Sequence, residues 1–364
     1  MLGNFRQANV VNDTLLYTLK ECPITKLEIH ECNTSKISDG VVGLGWLKHL
    51  CLVRCDNIQS IPNLPGNITS IRALECSSLV TLPCNISDLK SLTHLRFNRC
   101  PKLGIEFPHL IMKVKGLTNL AHLTMACCSV RQVPNKIGRL VSLKELDLSG
   151  NTFYRLPDTL SNLSQLVDLN IEGCQRLRLL PLLPSNLINI HARLCDSLDV
   201  MSSASLRTKV CKDSPFRNRF MIYLSWHMNV PDWCSCQSRG DIISFVAPVH
   251  LDNICGIILC VNTLKYFNRH FVPNLHNKTK NTSHPLVTKN AIGPYSLTFS
   301  CFRRQYMIVM SYPLDDTTLV VEPGDSLILE LPHDQGSITS SALRLIYETD
   351  VVNYKLVFQT VTQP

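Results

Sequence analysis

The sequence predicts an α/β solenoid of about eight repeats, with a parallel sheet on its concave side, followed by an all-β sandwich. Three observations carry this reading. A nine-residue frame with apolar first and fourth places recurs eight times before residue 200, at intervals of 21 to 28 residues. Each frame ends on cysteine or asparagine. After Leu198 the period stops, and beyond a polar join short apolar runs broken by turn residues replace it.

The frames are ITKLEIHEC from Ile24, LKHLCLVRC from Leu47, ITSIRALEC from Ile68 and LTHLRFNRC from Leu92, then LAHLTMACC from Leu120, LKELDLSGN from Leu143, LVDLNIEGC from Leu166 and LINIHARLC from Leu187. All fit L-x-x-L-x-L-x-x-N/C at the period of leucine-rich repeats, where each unit is a short strand and a looser return. Several continue to a second motif, LVTLP at Leu79–Pro83, VRQVP at Val130–Pro134, FYRLP at Phe153–Pro157 and LRLLP at Leu177–Pro181. The proline cannot donate to a ladder, so it should turn the chain out of the strand layer. A leucine pair such as Leu160 and Leu163 then packs beneath. The Leu92 repeat is longer because GIEFPHLIMKVKGLTN adds residues on the convex side or rim. Residues 1–21 read as an entry segment or cap, 22–200 as the repeat domain, 201–219 as a linker and 220–364 as the β-domain.

The last place of the frame is held by Cys32, Cys55, Cys76, Cys100, Cys128, Asn151, Cys174 and Cys195. It points inward at the bend after each strand, where buried backbone groups need partners. Asparagine meets them with a full amide, and cysteine meets them weakly while packing as a small hydrophobe. These cysteines are therefore architectural. The chain has 17 cysteines, and the other ten are scattered. Cys234 and Cys236, with His227 nearby, raise the possibility of zinc, but no second pair stands at matching spacing. They too read as structural.

Strand alternation sends places three, five and seven outward, and place eight is read with them. On that surface Arg54, Arg72, His94, Arg96 and Arg99 form a basic half, and Glu145, Asp147, Asp168, Asn170 and Glu172 form an acidic half, with His191 at the end. Extended concave sheets present such faces to protein partners, and charge complementarity sets specificity and encounter rate. These residues are the candidate partner-binding set.

Composition removes several classes. The net charge of +8 is dispersed without a long basic run, so nucleic acid is not the expected partner. The first residues lack a signal-peptide pattern, and no run of about 18 apolar residues suits a membrane span. Many cysteines without secretion argue for reduced thiols. No G-x-S-x-G, H-E-x-x-H or Walker sequence occurs. No catalytic, cofactor-binding or metal-binding residue is expected, and the chain does not read as an enzyme.

In the last part the apolar runs are RFMIYLSW, DIISFVAP, ICGIILCVN, YSLTFSCF, QYMIVMSYP, SLILELP, ALRLIYE and YKLVFQTV. Irregularly spaced strands without a helical pattern suggest an antiparallel sandwich. EPGDSL reads as a hairpin turn, and NRHFVPNLHNKTKNTSHPLVTKN as an exposed loop.

Together the repeats with their LP turns resemble those of plant intracellular immune receptors of the TIR–NB-ARC–leucine-rich-repeat class. The last part is similar to the jelly-roll domain that follows those repeats, called C-JID or post-LRR. VPDWCSCQSRGDIISFVAP, GIILCVN, NKTKN, PGDSLILEL and LRLIYE carry that second likeness. Cys234 stands where the family usually has Phe, and Ala342 near a frequent Gly. The resemblance implies a sensor of pathogen effectors or host guarded proteins, located in the cytoplasm or nucleus. In a longer protein the receptor's own NB-ARC domain would be a further partner. The family's nucleotide-binding and NAD-cleaving domains have no counterpart residues here. Two other readings stay open. One is an extracellular receptor fragment, suggested by N-x-S/T triplets at Asn12, Asn33, Asn67, Asn85, Asn162, Asn277 and Asn281; the other is a scaffold or adaptor for an endogenous protein.

Overall fold

A computed structural model describes residues 2–6, 17, 20–113, 117–199, 220–225, 234–248, 254–263, 273–286, 306–313, 321–332 and 338–347. The chain divides into two compact units: Met1–Leu187 with Leu194–Val200, and Ile188–Arg193 with Met201–Pro364. The expected linker at 201–219 and the apolar runs at 295–302 and 354–361 lie outside the described residues.

In the first unit, eight strands pair in parallel in chain order: β1 (Leu2–Arg6), β2 (Lys26–His30), β3 (His49–Val53), β4 (Ser70–Leu74), β5 (His94–Asn98), β6 (His122–Ala126), β7 (Glu145–Asp147) and β8 (Asp168–Asn170). This is the expected leucine-rich-repeat solenoid. β1 falls in the segment read as an entry or cap. Its register, Leu2 opposite Lys26, puts Gly3 at the fourth place of the frame. A glycine in place of the expected leucine hid it from the repeat pattern.

Inward places four and six form one apolar column, in which Leu27, Leu50, Ile71, Leu95, Leu123, Leu146 and Leu169 are at most 1% exposed. The return segments become short 3-10 turns, Asp39–Gly43, Ile86–Asp88, Asn135–Arg139 and Asp158–Asn162. Pro134 and Pro157 stand at the N-terminal caps of two of them in extended conformation, as their fixed φ requires. The insertion after β5 folds into helices Pro101–Ile105 and Phe107–Lys113, burying Leu103, Phe107, Leu110 and Ile111. Gly104 lets the first of these sit on the backbone of Cys128, where a Cβ would stand 1.8 Å from its carbonyl oxygen.

The ladder does what its chemistry allows. Cys55, Cys100, Cys128, Cys174 and Cys195 each donate a thiol hydrogen to a carbonyl of the preceding repeat, Ile29, Ala73, Phe97, Leu148 and Ile171, over 3.0 to 3.8 Å. Asn151 does far more. Its Oδ1 accepts from the N–H groups of Cys128 and Val130, and its Nδ2 donates to the carbonyls of Met125 and Leu148, both at 2.7 Å. A second ladder runs beside the first, unread in the sequence: Asn67, Asn119 and Asn186 donate to the carbonyls of Gly45, Lys90 and Ser164. Each precedes the first place of its frame, so the signal was present as a recurrent N before the apolar residue.

The second unit contains two sheets. One has the order β9 (Asn189–Ala192), β10 (Phe220–Ser225), β16 (Tyr306–Pro313), β13 (Ile254–Thr263), β18 (Ile338–Tyr347) and β11 (Cys236–Ser238); the other has β12 (Ile242–Val246), β17 (Ser326–Glu330), β14 (Asn274–Asn277) and β15 (Thr282–Pro285). Pairing is antiparallel except between β9 and β10. The sheets share one core, in which Ile243, Leu275 and Leu329 meet Ile257, Leu259, Val261, Met310 and Leu343. Part of the stretch read as an exposed loop is thus the β14–β15 hairpin, because Leu275 is buried in that core and Asn277 is buried with it.

Two of the sequence blocks that carry the family likeness lock together. Asn277 Nδ2 donates to Asp325 Oδ2 at 2.6 Å, Lys280 Nζ lies 2.9 Å from Glu322, and the Ser326 N–H donates to Thr279 Oγ1. Cys234 is buried with its sulfur 3.7 Å from that of Cys260 on β13.

Candidate partner-binding face

On the concave sheet the third places of β5, β6, β7 and β8 stand side by side as His94, His122, Glu145 and Asp168. The fifth places of β2 to β8 are Glu28, Cys51, Arg72, Arg96, Thr124, Asp147 and Asn170. The basic and acidic halves therefore do share one sheet. Their chemistry differs from a simple dipole of open charges.

Arg72 and Arg96 are exposed and directly opposite each other on β4 and β5. His94 and His122 stack with ring centroids 4.2 Å apart and 8° between planes. His122 Nδ1 donates to Glu145 Oε2 at 2.7 Å, which joins the two halves. His122 was not among the residues singled out by sequence, although it occupies the same place as His94. Desolvation, then the neighbouring His122 and Arg96, pushes His94 down to about 4, so its ring is neutral near pH 7. The hydrogen bond from His122 holds the Glu145 carboxyl below its ordinary range.

Arg54 and Arg99 stand apart from this row. Place eight lies past the strand end in the left-handed region, with φ of 52 to 57° at Glu31, Arg54, Glu75, Arg99, Cys127 and Leu194 and 65 to 72° at Gly150 and Gly173. The backbone there turns so that the place-eight N–H donates to the place-seven carbonyl of the next repeat, as from Arg54 to Leu74 and from Arg99 to Ala126. Strand alternation does not apply to such a bend. Arg54 and Arg99 both reach Glu75, at 3.1 and 2.7 Å, and their hydrogen bonds, helped by their charges, hold its carboxyl below the usual range.

The acidic half is mostly engaged within the fold. Asp168 is 6% and Asn170 1% exposed. Asp147 accepts from the Ser149 N–H, and Asn170 from the Glu172 N–H. These local bonds capture the place-seven N–H and shorten β7 and β8 to three residues. Burial nevertheless raises the Asp147 carboxyl. Glu172 is half-buried. His191 belongs to the second unit, where its ring stacks on Tyr223 at 4.9 Å.

No family model matches this chain. It is 34% identical over 175 residues to TMV resistance protein N of Nicotiana glutinosa, covering 46% of this chain and 15% of that protein. It is 31% identical over 199 residues to disease resistance protein RPS4B of Arabidopsis thaliana, covering 48% and 16%. Its homologues are plant disease resistance proteins. A third, disease resistance-like protein DSC1 of Arabidopsis thaliana, is 27% identical over 182 residues, 49% of this chain and 15% of the relative. The chain thus spans about one sixth of the length of the disease resistance proteins it matches. Among solved structures, the leucine-rich repeat domain of the type III effector XCV3220 (XopL) aligns with 52% of this chain and 75% of that one, at 20% identity and a TM-score of 0.40. Among the described residues no helix is long and apolar enough to cross a membrane.

Proposed function

We propose that the chain is the ligand-sensing portion of an intracellular plant immune receptor, binding a pathogen effector or a host protein through its concave sheet. The observation that carries this is the row of polar side chains on β4 to β6, where Arg72 and Arg96 are exposed. There, polar side chains stand above a sealed apolar column in repeats homologous to those of resistance proteins. The second unit, with its two sheets around one core, acts with it as a C-JID-like jelly roll. The cytoplasm or nucleus is its compartment, and the NB-ARC domain of a longer receptor is a further partner. Three of the N-x-S/T triplets support an intracellular reading over a glycosylated one. The amide nitrogens of Asn67, Asn85 and Asn277, where a glycan would attach, already donate to Gly45, Leu64 and Asp325.

The test is binding of the purified chain to a panel of secreted pathogen proteins. A complex is expected that Ser70→Trp with Thr124→Trp abolishes, because both residues lie on the open sheet, and that Arg131→Gln with Arg139→Gln on the return side leaves intact. A complex indifferent to the tryptophans would sink the assignment of the concave face.

A further inference from the structure

We propose that Arg72 and Arg96 are a binding site for a short acidic segment of the protein partner, an inference that rests on the concave-face reading above. The two guanidinium groups extend from neighbouring strands about 4.8 Å apart, in register and exposed. Like charges placed opposite each other destabilise a sheet, whereas four other cations of this unit are paired. Arg54 and Arg99 share Glu75, Lys26 holds Glu28 at 2.6 Å, and Lys36 holds Asp39 at 2.7 Å. Among the described residues no carboxylate lies within ion-pair distance of Arg72 or Arg96. The carboxylates nearest along the sheet are two strands away on either side, Glu28 bonded to Lys26 and Glu145 bonded to His122. The arginine pair thus has no contact partner, although each guanidinium lies within the field of one of these carboxylates, Arg72 of Glu28 and Arg96 of Glu145.

Its surroundings select the occupant. A small free anion is normally held by convergent backbone N–H groups, whereas those of β4 and β5 are committed to the parallel ladder. Only side chains donate here, from an open sheet. A planar guanidinium takes a carboxylate bidentately, so two such forks suit two acidic side chains near one another. A long polyanion lying across the strands would meet Glu28 at one end and Glu145 at the other. Glu28 and Glu145 stand five strand spacings apart, about 24 Å, a span that a few residues of an acidic peptide fill and a long extended nucleic-acid strand exceeds.

Fluorescence anisotropy of labelled hexaglutamate with the full chain at low salt tests this. Binding is expected to weaken about tenfold in R72Q/R96Q and to fall as salt rises. R131Q/R139Q, which removes the same charge from the return side, should bind as the parent does. Equal weakening in both variants, no binding by the parent, or tighter binding of a six-nucleotide RNA than of hexaglutamate would each overturn the proposal. Failure of the peptide with the tryptophan variants still abolishing partner binding would reject the acidic segment alone. Failure of the tryptophan variants as well would reject the concave face itself.

Discussion

The β4–β5 half of the concave sheet and the β7–β8 half are built from the same nine-residue frame, yet they dispose of polar groups in opposite ways. In the first, strands run five residues, the bend residues are Glu75 and Arg99 in left-handed conformation, the rungs are Cys76 and Cys100, and Arg72 and Arg96 point into solvent. In the second, Asp147 and Asn170 bond the backbone two residues on, the bend residues are Gly150 and Gly173, the β7 rung is Asn151, and Asp168 is buried. One half leaves its arginines exposed to solvent; the other uses its polar groups to hold its own bends. Acidic composition on a face is therefore no guide to acidity offered to a partner.

The largest effect that would sharpen this contrast is at the rungs. Asn151→Leu leaves the buried N–H groups of Cys128 and Val130 without their acceptor and should cost about 3 to 5 kcal/mol, since each orphaned buried group costs roughly 1 to 3. Cys76→Ala, which loses a weak thiol contact and a small volume, should cost about 1 kcal/mol. Urea unfolding of both variants measures the difference, and equal losses would erase the distinction between the halves. At the bends, Gly150→Ala puts a Cβ in left-handed backbone and 2.5 Å from the Cys127 sulfur, for a loss of about 1 to 2 kcal/mol. Arg99→Gly relieves that backbone strain while losing the pair with Glu75, so its change should stay within about 0.5 kcal/mol. A shift in urea midpoint for Arg99→Gly as large as that for Gly150→Ala would mean the bends are alike.

The junction of the halves should respond to pH. His94 titrates at about 4 in the fold against an ordinary 6.5, so its neutral form is favoured there. Its stabilising contribution is complete above pH 6.5 and is lost as pH falls toward 4. Glu145, also held low, adds loss of the same sign further into acid, and Asp147, raised by burial, opposes both. Thermal melts of His94→Gln should show a flatter pH dependence between 6.5 and 4 than the parent. The smallest effect belongs to the arginine pair. R72Q/R96Q relieves like-charge repulsion and should stabilise by a few tenths of a kcal/mol, about 0.3. A clear loss of stability on urea unfolding would mean that the pair is already matched within the chain.

Much of the molecule was legible in advance where the physics is local. The apolar places, the 21 to 28 residue spacing and the rungs announced the solenoid because each repeat buries its face only against its neighbours. Arg72, Arg96 and His94 were placed correctly by alternation. Arg54 and Arg99 were not, because alternation ends where φ becomes positive, and no residue type at place eight marks that bend uniformly. β1 escaped because Gly3 replaces the expected leucine. The β14–β15 hairpin escaped because its polar composition concealed Leu275 and the Asn277–Asp325 bond, whose partners lie 48 residues apart.

The sequence by itself determined the repeat, its inward column and the row of residues that faces outward, since period and pleat are properties of the chain. Only the tertiary structure decided which of those outward charges are spent. Pairing depends on reach between strands and on burial, and neither is written at any one position. Glu75 takes Arg54 and Arg99, His122 takes Glu145, and Arg72 with Arg96 stays exposed without an ion pair.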